Sequence, residues 1–489
     1  MSTVARICGT LAVLLLAKII LEATYNVFFS PLRKYPGPKL AAATHAVWWY
    51  HTLSGNYAAW SKSLHDQYGC VVRMGPDRLS YIQPEAWKDI YGHRTSTHKA
   101  NAKSSRQHAP QMSGSHSILS EPDDRRHAEI RKIFSNAFSD RALKLQEDLI
   151  MKYVNKLINN IQENIDQDPG AKLDLVKLYN FTTFDIMGEL TFGESLGLLD
   201  QSEYSPWVSA IFKNVKAVTI RTLQQQYPIV RSLVRIFMPR SMQVARQNHY
   251  QYSVDRVDRR LKTETDKADI WNLVLDKNKG VLSLSDMHAN ASVFMVAGTE
   301  TTATLLSGLS YHLLMNRDKL QKATDEVRSL SEEQLNLEAL PHLEYLSACF
   351  EEGLRCYPPV PSGLLREVPQ GGNTICGEWL PPKTCVCVSH WAAYHSASNF
   401  KDPDSFVPER WLPDTGYNDD KKEAMQPFSV GPRNCIGKNL AYHEMRLILA
   451  KILWNFDITI CPESENWENQ KAWLLWDKPA LLVKAKKAQ

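Results

Sequence analysis

Apolar positions along the chain fall into three patterns. The first thirty residues carry one continuous apolar run, Ile7 to Leu21 (ICGTLAVLLLAKIIL), broken by Lys18 and followed by Glu22. A bilayer span needs about 20 apolar residues, so the run qualifies where Lys18 and Glu22 snorkel to an interface. A secretory signal, an amphipathic surface helix and an uncleaved anchor are the three readings. No small-x-small cleavage site follows cleanly, and Arg33, Lys34 and Lys39 lie just beyond the run. Positive charge at that end holds it on the cytoplasmic side, so residues 1–30 are expected to be an anchor. Tyr35-Pro36-Gly37-Pro38 cannot continue a helix and reads as a hinge before a body spanning 31–489.

Within that body, helical periodicity dominates from Asp123 to Tyr357. Short β-like stretches fall around Cys70 to Arg73 and Leu79 to Ile82, and a second β-rich zone runs from Leu364 to Val388. The layout is mainly α with a small β region, an α+β class. The longest helix is expected to start near Ser283, where Ser-Leu-Ser-Asp286 forms a capping box. Its residues are apolar all round, which predicts burial; Asn290, Glu300 and His312 argue against a second membrane span. Thr95 to Ser120 and Asp414 to Glu423 are the polar, soft stretches.

Composition changes this picture little. Of 489 residues, 44% are hydrophobic and 22% charged, ordinary for a protein with a large core. A formal charge of +4, without a Lys/Arg-rich run, gives no reason to expect nucleic-acid binding. The nine cysteines show no paired spacing and suggest a reducing compartment. Cys385 and Cys387 lie two apart in an apolar strand and read as core.

Cys435 differs from the others. It sits in Phe428-Ser-Val-Gly431-Pro-Arg433-Asn-Cys435-Ile-Gly437, a glycine-framed loop that opens into a helix. Gly431 and Gly437 permit backbone conformations and close approaches that a Cβ would block. Backbone N–H groups at the helix start, with Arg433, stabilise a thiolate. One sulfur without a neighbouring Cys or His cannot complete a zinc site, but it can be the axial ligand of a haem, whose porphyrin supplies the in-plane donors.

Inside the long helix lies Ala297-Gly298-Thr299-Glu300-Thr301-Thr302. Thr301 can donate to the carbonyl four residues back, that of Ala297, and open the helix locally. Gly298 leaves room for a flat group or small ligand against the backbone. Taken alone, the stretch reads equally as a Thr-rich kink with a solvated Glu. Glu352 and Arg355 are three apart on one helix face, by itself a common arrangement.

Together these motifs resemble the haem-thiolate monooxygenases, the cytochrome P-450 superfamily: F-x-x-G-x-R-x-C-x-G at Phe428–Gly437, the oxygen-binding groove at Ala297–Thr302, E-x-x-R at Glu352–Arg355, and Pro408-Glu-Arg410-Trp411. The likeness runs from about Tyr35 to Val483. KYPGPKLAAATHAVWWY and VVRMGPDRLSYI resemble fungal microsomal members that oxidise secondary metabolites. The resemblance implies haem b held by Cys435, with Phe428 and Gly437 framing the loop and His127, Arg131, Arg366 and Arg433 binding the propionates. His127 stands where the family often has Trp. It implies proton relay through Glu300 and Thr301, and a structural triad of Glu352, Arg355 and Arg410.

The implied reaction is hydroxylation of a lipophilic small molecule with O2. No G-x-G-x-x-G follows a strand and no flavin domain is evident, so electrons are expected from NADPH-cytochrome P-450 reductase, with cytochrome b5 as a second donor. Arg125, Arg126, Lys132 and Lys438 form the expected docking patch. The resemblance also implies tethering to the endoplasmic reticulum membrane, with lipid contact at the anchor and a cytoplasmic catalytic domain. Substrate contacts are expected from Lys99 to Leu119, Ser205 to Gln226, Ala289 to Ala297, Pro361 to Leu365 and Trp473 to Trp476. An isomerase or dehydratase that uses no O2, and a non-catalytic haem-binding protein, are the rivals; an intact Glu300–Thr301 pair argues against both.

Overall fold

The structure, a computed structural model, describes residues 3–93, 100–104, 114–237, 240–275 and 282–488. Its first element is the helix Thr3–Phe28, of which Gly9–Phe28 is long and apolar enough to cross a membrane and contains no buried residue. Leu11, Val13, Leu14, Leu15 and Leu16 are all exposed, which covers every side of the helix. It therefore has no polar face and is not an amphipathic surface helix. Lys18 and Glu22 pair one turn apart at 3.6 Å. The helix is compatible with a membrane anchor.

The turn at Tyr35–Pro38, read as a hinge, is held against the body. The buried Arg73 donates to the Asn26 carbonyl at 2.9 Å, to Ser30 Oγ at 3.3 Å and to the Pro76 carbonyl at 2.7 Å. Its own backbone N–H donates to the Pro36 carbonyl at 2.7 Å. A Cβ on Gly37 would lie 2.3 Å from the Arg73 carbonyl oxygen, so glycine is what permits this approach. The end of the N-terminal helix is thus tied to the first strand.

That strand, Val71–Gly75, pairs antiparallel with Arg78–Tyr81, so the two expected β-like stretches form a hairpin. Arg78–Tyr81 runs parallel to Cys385–Val388, which continues through Arg366–Glu367 to Ala102–Lys103, giving five strands. Cys385 and Cys387 are buried, as their apolar run predicted. Two strands absent from the expectations, Phe456–Ile460 and Leu482–Lys487, pair antiparallel and add the short Leu173–Asp174.

The helical body is built around Leu284–Met315. Ser283 caps it and Asp286 closes the predicted capping box. Leu175–Phe192, buried along nearly its whole length, packs against this helix. Nothing strongly amphipathic is needed in either, because neighbours cover most of the surface of both.

Candidate active site

The cysteine loop folds back on itself through hydrogen bonds from the Cys435 N–H to the Phe428 carbonyl at 2.9 Å and from the Asn434 N–H to the Gly431 carbonyl at 3.2 Å. Gly431 has φ +76°, and a Cβ there would stand 2.1 Å from the Tyr91 carbonyl oxygen, so this glycine is required. Gly437 is different. Its φ of −91° suits any residue, and a Cβ would meet nothing nearer than Phe138 at 3.9 Å. Gly437 caps the helix Lys438–Asn455, and Phe428 packs on Tyr442 with ring centroids 5.3 Å apart.

Cys435 is accessible by surface area, yet its thiol is pushed up by desolvation, which surrounding protein causes. Both observations fit a sulfur on the wall of a hollow enclosed by protein. The Gly437 N–H, Arg131 and Lys438 oppose the rise and favour the thiolate.

The four predicted propionate residues converge. His127, Arg131, Arg366 and Arg433 all line one cavity of about 1060 Å³. Arg366 is 4% exposed and its Nη1 has no protein partner; burial lowers its guanidinium to about 10. An unpaired buried cation at a cavity wall calls for an anion. His127 is lowered to about 3, chiefly by burial and then by Arg433, Lys103 and Arg131. It is therefore a neutral imidazole able to donate one hydrogen bond. Arg131 donates to the Asn434 carbonyl at 2.7 Å and to Asn434 Oδ1 at 2.5 Å, beside Cys435.

Arg433 borders the same cavity, but all three of its nitrogens are engaged. They bond Asp124 at 2.7 and 3.0 Å and the carbonyls of Glu121 and Pro122. It docks the cysteine loop onto the helix Asp124–Ser135.

Among the described residues no cluster of three His, Cys, Asp or Glu could hold a metal ion. A lone thiolate and a set of converging cations instead fit a metal that arrives with its own in-plane donors and anionic arms, as haem iron does.

On the central helix, Ala297 is exposed and Val293 and Thr301 are half-buried within otherwise enclosed surroundings, forming a stripe at four-residue spacing. Thr301 Oγ1 donates to the Ala297 carbonyl at 2.6 Å, the predicted bond. Gly298 does not open onto free space: a Cβ there would meet the tip of Met187 at 2.8–3.1 Å, so Met187 occupies the room expected for a ligand. Nor is Glu300 solvated. It is 3% exposed, and Oε1 bonds Lys478 Nζ while Oε2 has no partner among the described residues. Lys478 was not legible beforehand, since nothing in its surroundings marks it as facing a helix nearly 180 positions upstream.

The expected triad is assembled in full. Glu352, Arg355 and Arg410 have fully buried side chains. Arg355 bonds both Glu352 oxygens, at 2.9 and 2.8 Å, and Arg410 bonds Oε1 at 3.0 Å. Trp411 Nε1 adds a bond to Oε2 at 3.0 Å, and Asp420 pairs with Arg410; neither was anticipated. Arg355 also donates to the Tyr394 carbonyl at 2.9 Å, and the Tyr394 hydroxyl accepts the Gln426 N–H at 3.1 Å. This chain of bonds ends two residues before Phe428, at the mouth of the cysteine loop.

Other expected contacts are mixed. Lys99 and 105–113, within the Lys99 to Leu119 stretch, lie outside the described residues; Ile118 N–H bonds Asn290 Oδ1 at 2.8 Å on the central helix. Trp476 is buried core, stacked on Tyr357 at 5.0 Å, with its N–H on the Pro358 carbonyl. Of the residues expected to form a docking patch, Arg125, Lys132 and Lys438 are exposed, whereas Arg126 pairs with Asp286 at 2.8 Å.

A helical body, a thiolate loop and a cation-lined cavity beside it define the class of haem-thiolate oxygenases. The family model for cytochrome P-450 matches residues 36–487. The chain is 50% identical over 474 residues to the cytochrome P-450 monooxygenase FUM2 of Gibberella moniliformis, covering 95% of this chain and all of FUM2. It is 47% identical to AMT3 of Alternaria alternata, over 95% of each, and 46% identical to efuB of Hormonema carpetanum, over 98% and 96%. The chain belongs to the cytochrome P-450 family. It is a haem monooxygenase, an oxidoreductase that takes electrons from a redox partner and acts with O2 on a small molecule.

Proposed function

We propose that the enzyme oxidises a lipophilic secondary metabolite, of terpenoid, polyketide or alkaloid type. It does so on haem b, with electrons from NADPH-cytochrome P-450 reductase and cytochrome b5. The residues beyond 30 form the catalytic domain, on the cytoplasmic face of the endoplasmic reticulum, and residues 1–30 tether it. What supports this reading most is the convergence of His127, Arg131, Arg366 and Arg433 on one cavity beside the Cys435 loop. Bound haem supplies the activation of dioxygen and the transfer of one oxygen atom to substrate.

The remaining work belongs to the chain. Cys435 ligates the iron as a thiolate, with the Gly437 N–H and the Arg131 and Lys438 charges favouring that state. His127, Arg131 and Arg366 hold the two carboxylate arms; Arg433, already bonded to Asp124, adds its charge to the same wall. Thr301 keeps a proton at Oγ1, directed at the Ala297 carbonyl until it is needed. Glu300 replenishes it. Glu352, Arg355 and Arg410 fix the loop that carries Cys435.

The test is expression of the full chain with the reductase and with the enzymes encoded beside it. Oxygen gain is then followed by mass, with 18O2 as the isotopic source. Product must require both NADPH and O2 and carry one labelled atom. Turnover without either would support a rearrangement instead.

A further inference from the structure

Glu300, from the central helix, and Lys478, from the C-terminal segment, meet away from water. Their side chains are 4% and 3% exposed. Lys478 Nζ contacts Glu300 Oε1 and donates to Thr304 Oγ1 at 2.7 Å, one turn further along the same helix. The ammonium therefore sits across a full turn of the central helix, on the side where Glu300 projects.

The backbone that delivers Lys478 is fixed. The Pro479 carbonyl accepts the Trp467 indole N–H at 2.9 Å. Leu481 N–H bonds Asp174 Oδ1 at 3.2 Å, and Leu482 opens the strand paired with Leu173–Asp174. A lysine mounted on such a support keeps its head in place at little further entropic cost. The other titratable groups facing Glu300 are Tyr204 and Tyr357, both of which feel its charge. Their hydroxyls are engaged elsewhere: Tyr204 accepts from Asn180 at 3.0 Å, and Tyr357 donates to Gln470 at 2.7 Å. Lys478 is the cation among these groups.

We propose that Lys478 is the positioning residue for Glu300: it holds the carboxylate ionised and turned toward the C-terminal segment, leaving Oε2 free as the proton-accepting oxygen. Two observations give this direction. Oε2 is buried without a partner among the described residues, so one oxygen is fixed and the other is open to a water or a proton. Burial pushes the Glu300 carboxyl up, and it stays raised on balance, with the ion pair to Lys478 opposing part of that rise. Without the ammonium, the acid would be neutral and free to turn.

The role rests on Glu300 serving as a proton carrier, but its test does not. Purified, haem-loaded Lys478→Met is compared with wild type by infrared difference spectroscopy. The expected result is a new carboxylic-acid C=O band that disappears when Glu300→Gln is added. Lys478→Arg keeps the wild-type spectrum. Absence of a band sensitive to Glu300→Gln overturns the proposal, whatever the enzyme's turnover. Thermal melting supplies a second measurement, should Lys478→Met lose its fold. Lys478→Met/Glu300→Gln, which removes both titrating groups, is expected to recover most of the lost midpoint, because folding no longer has to protonate a buried carboxyl. A double variant no more stable than Lys478→Met would equally overturn it. Peroxide released per NADPH then reports on proton relay separately: a confirmed pair with unchanged peroxide would count against the relay and leave the pairing intact.

Discussion

Arg410 and Asp420 form an ion pair with neither side chain more than 2% exposed. The Asp420 carboxylate also accepts the Lys401 N–H at 2.7 Å, and Arg410 reaches Glu352 with its Nε. Two carboxylates and two guanidiniums therefore share one dry cluster. Burial raises the Glu352 carboxyl, and Arg355 and Arg410 outweigh it, so the acid stays ionised. Removing one member strands a buried charge and costs roughly 3–5 kcal/mol. Asp420→Ala should therefore lower the melting midpoint, and the haem bound per protein, about as much as Glu352→Ala. Absorbance of bound haem against total protein checks it. Full haem occupancy in Asp420→Ala would reduce Asp420 to a loop tie.

The two glycines of the site predict opposite outcomes. At Gly431 a methyl group meets backbone, the Tyr91 carbonyl, at 2.1 Å with φ at +76°. Left-handed backbone alone costs about 1–2 kcal/mol with a side chain, and the clash cannot be relieved without moving the loop. Gly431→Ala should lose the carbon monoxide absorption band of thiolate-ligated haem, as Cys435→Ala does by removing the ligand. At Gly298 the nearest atoms to the methyl belong to the unbranched, adaptable side chain of Met187, at 2.8–3.1 Å, rather than to backbone. Helix propensity gains about 1 kcal/mol from Gly to Ala, so Gly298→Ala should fold normally and keep the band.

Most of this site was legible because its motifs are local. The Cys435 loop, the Thr301–Ala297 bond and the capping box at Ser283 each depend on residues within ten positions, and each is found where its pattern put it. What escaped detection depends on distant segments. Asp420 lies in a stretch that reads as a soft loop, and only the fold brings it to Arg410. Lys478 faces Glu300 because the Leu482–Lys487 strand pairs with Leu173–Asp174, a long-range register that no periodicity reveals. Gly298 was misread for the same reason: whether a missing side chain leaves space depends on Met187 of another helix.

Acid should destabilise the protein well above the carboxylate range. His65 and His390 are nearly inaccessible and burial lowers each from 6.5 to about 4. Their Nδ1–H groups donate to the Gly69 and Val360 carbonyls, both at 2.8 Å. These rings are neutral when folded, whereas the unfolded chain binds protons below about pH 6.5. The unfolded state thus holds more protons between pH 6.5 and 4, so stability rises with pH across that window and is lost on acidification. The gap is worth at most about 3 kcal/mol per ring. Melting between pH 7 and 5 should show a falling midpoint, and His390→Gln should flatten the slope. An identical slope in that variant would remove His390 from the explanation.

Thr301 separates folding from chemistry. Its hydroxyl bonds only the Ala297 carbonyl, an interaction that slightly destabilises a helix, so Thr301→Val should melt at or just above the wild-type midpoint. The variant keeps the side-chain shape and removes the proton that a relay requires. Positioned proton transfer contributes typically 10²–10⁴-fold, so oxygenated product per NADPH should fall by roughly 10²-fold while NADPH consumption continues and peroxide rises in its place. Thr301→Ser, which restores a hydroxyl, should recover most of the coupling. Product and peroxide are measured against NADPH in the same reaction. A Thr301→Val enzyme that still couples electrons to product as wild type does would show that protons arrive by another route, leaving Thr301 a helix residue only.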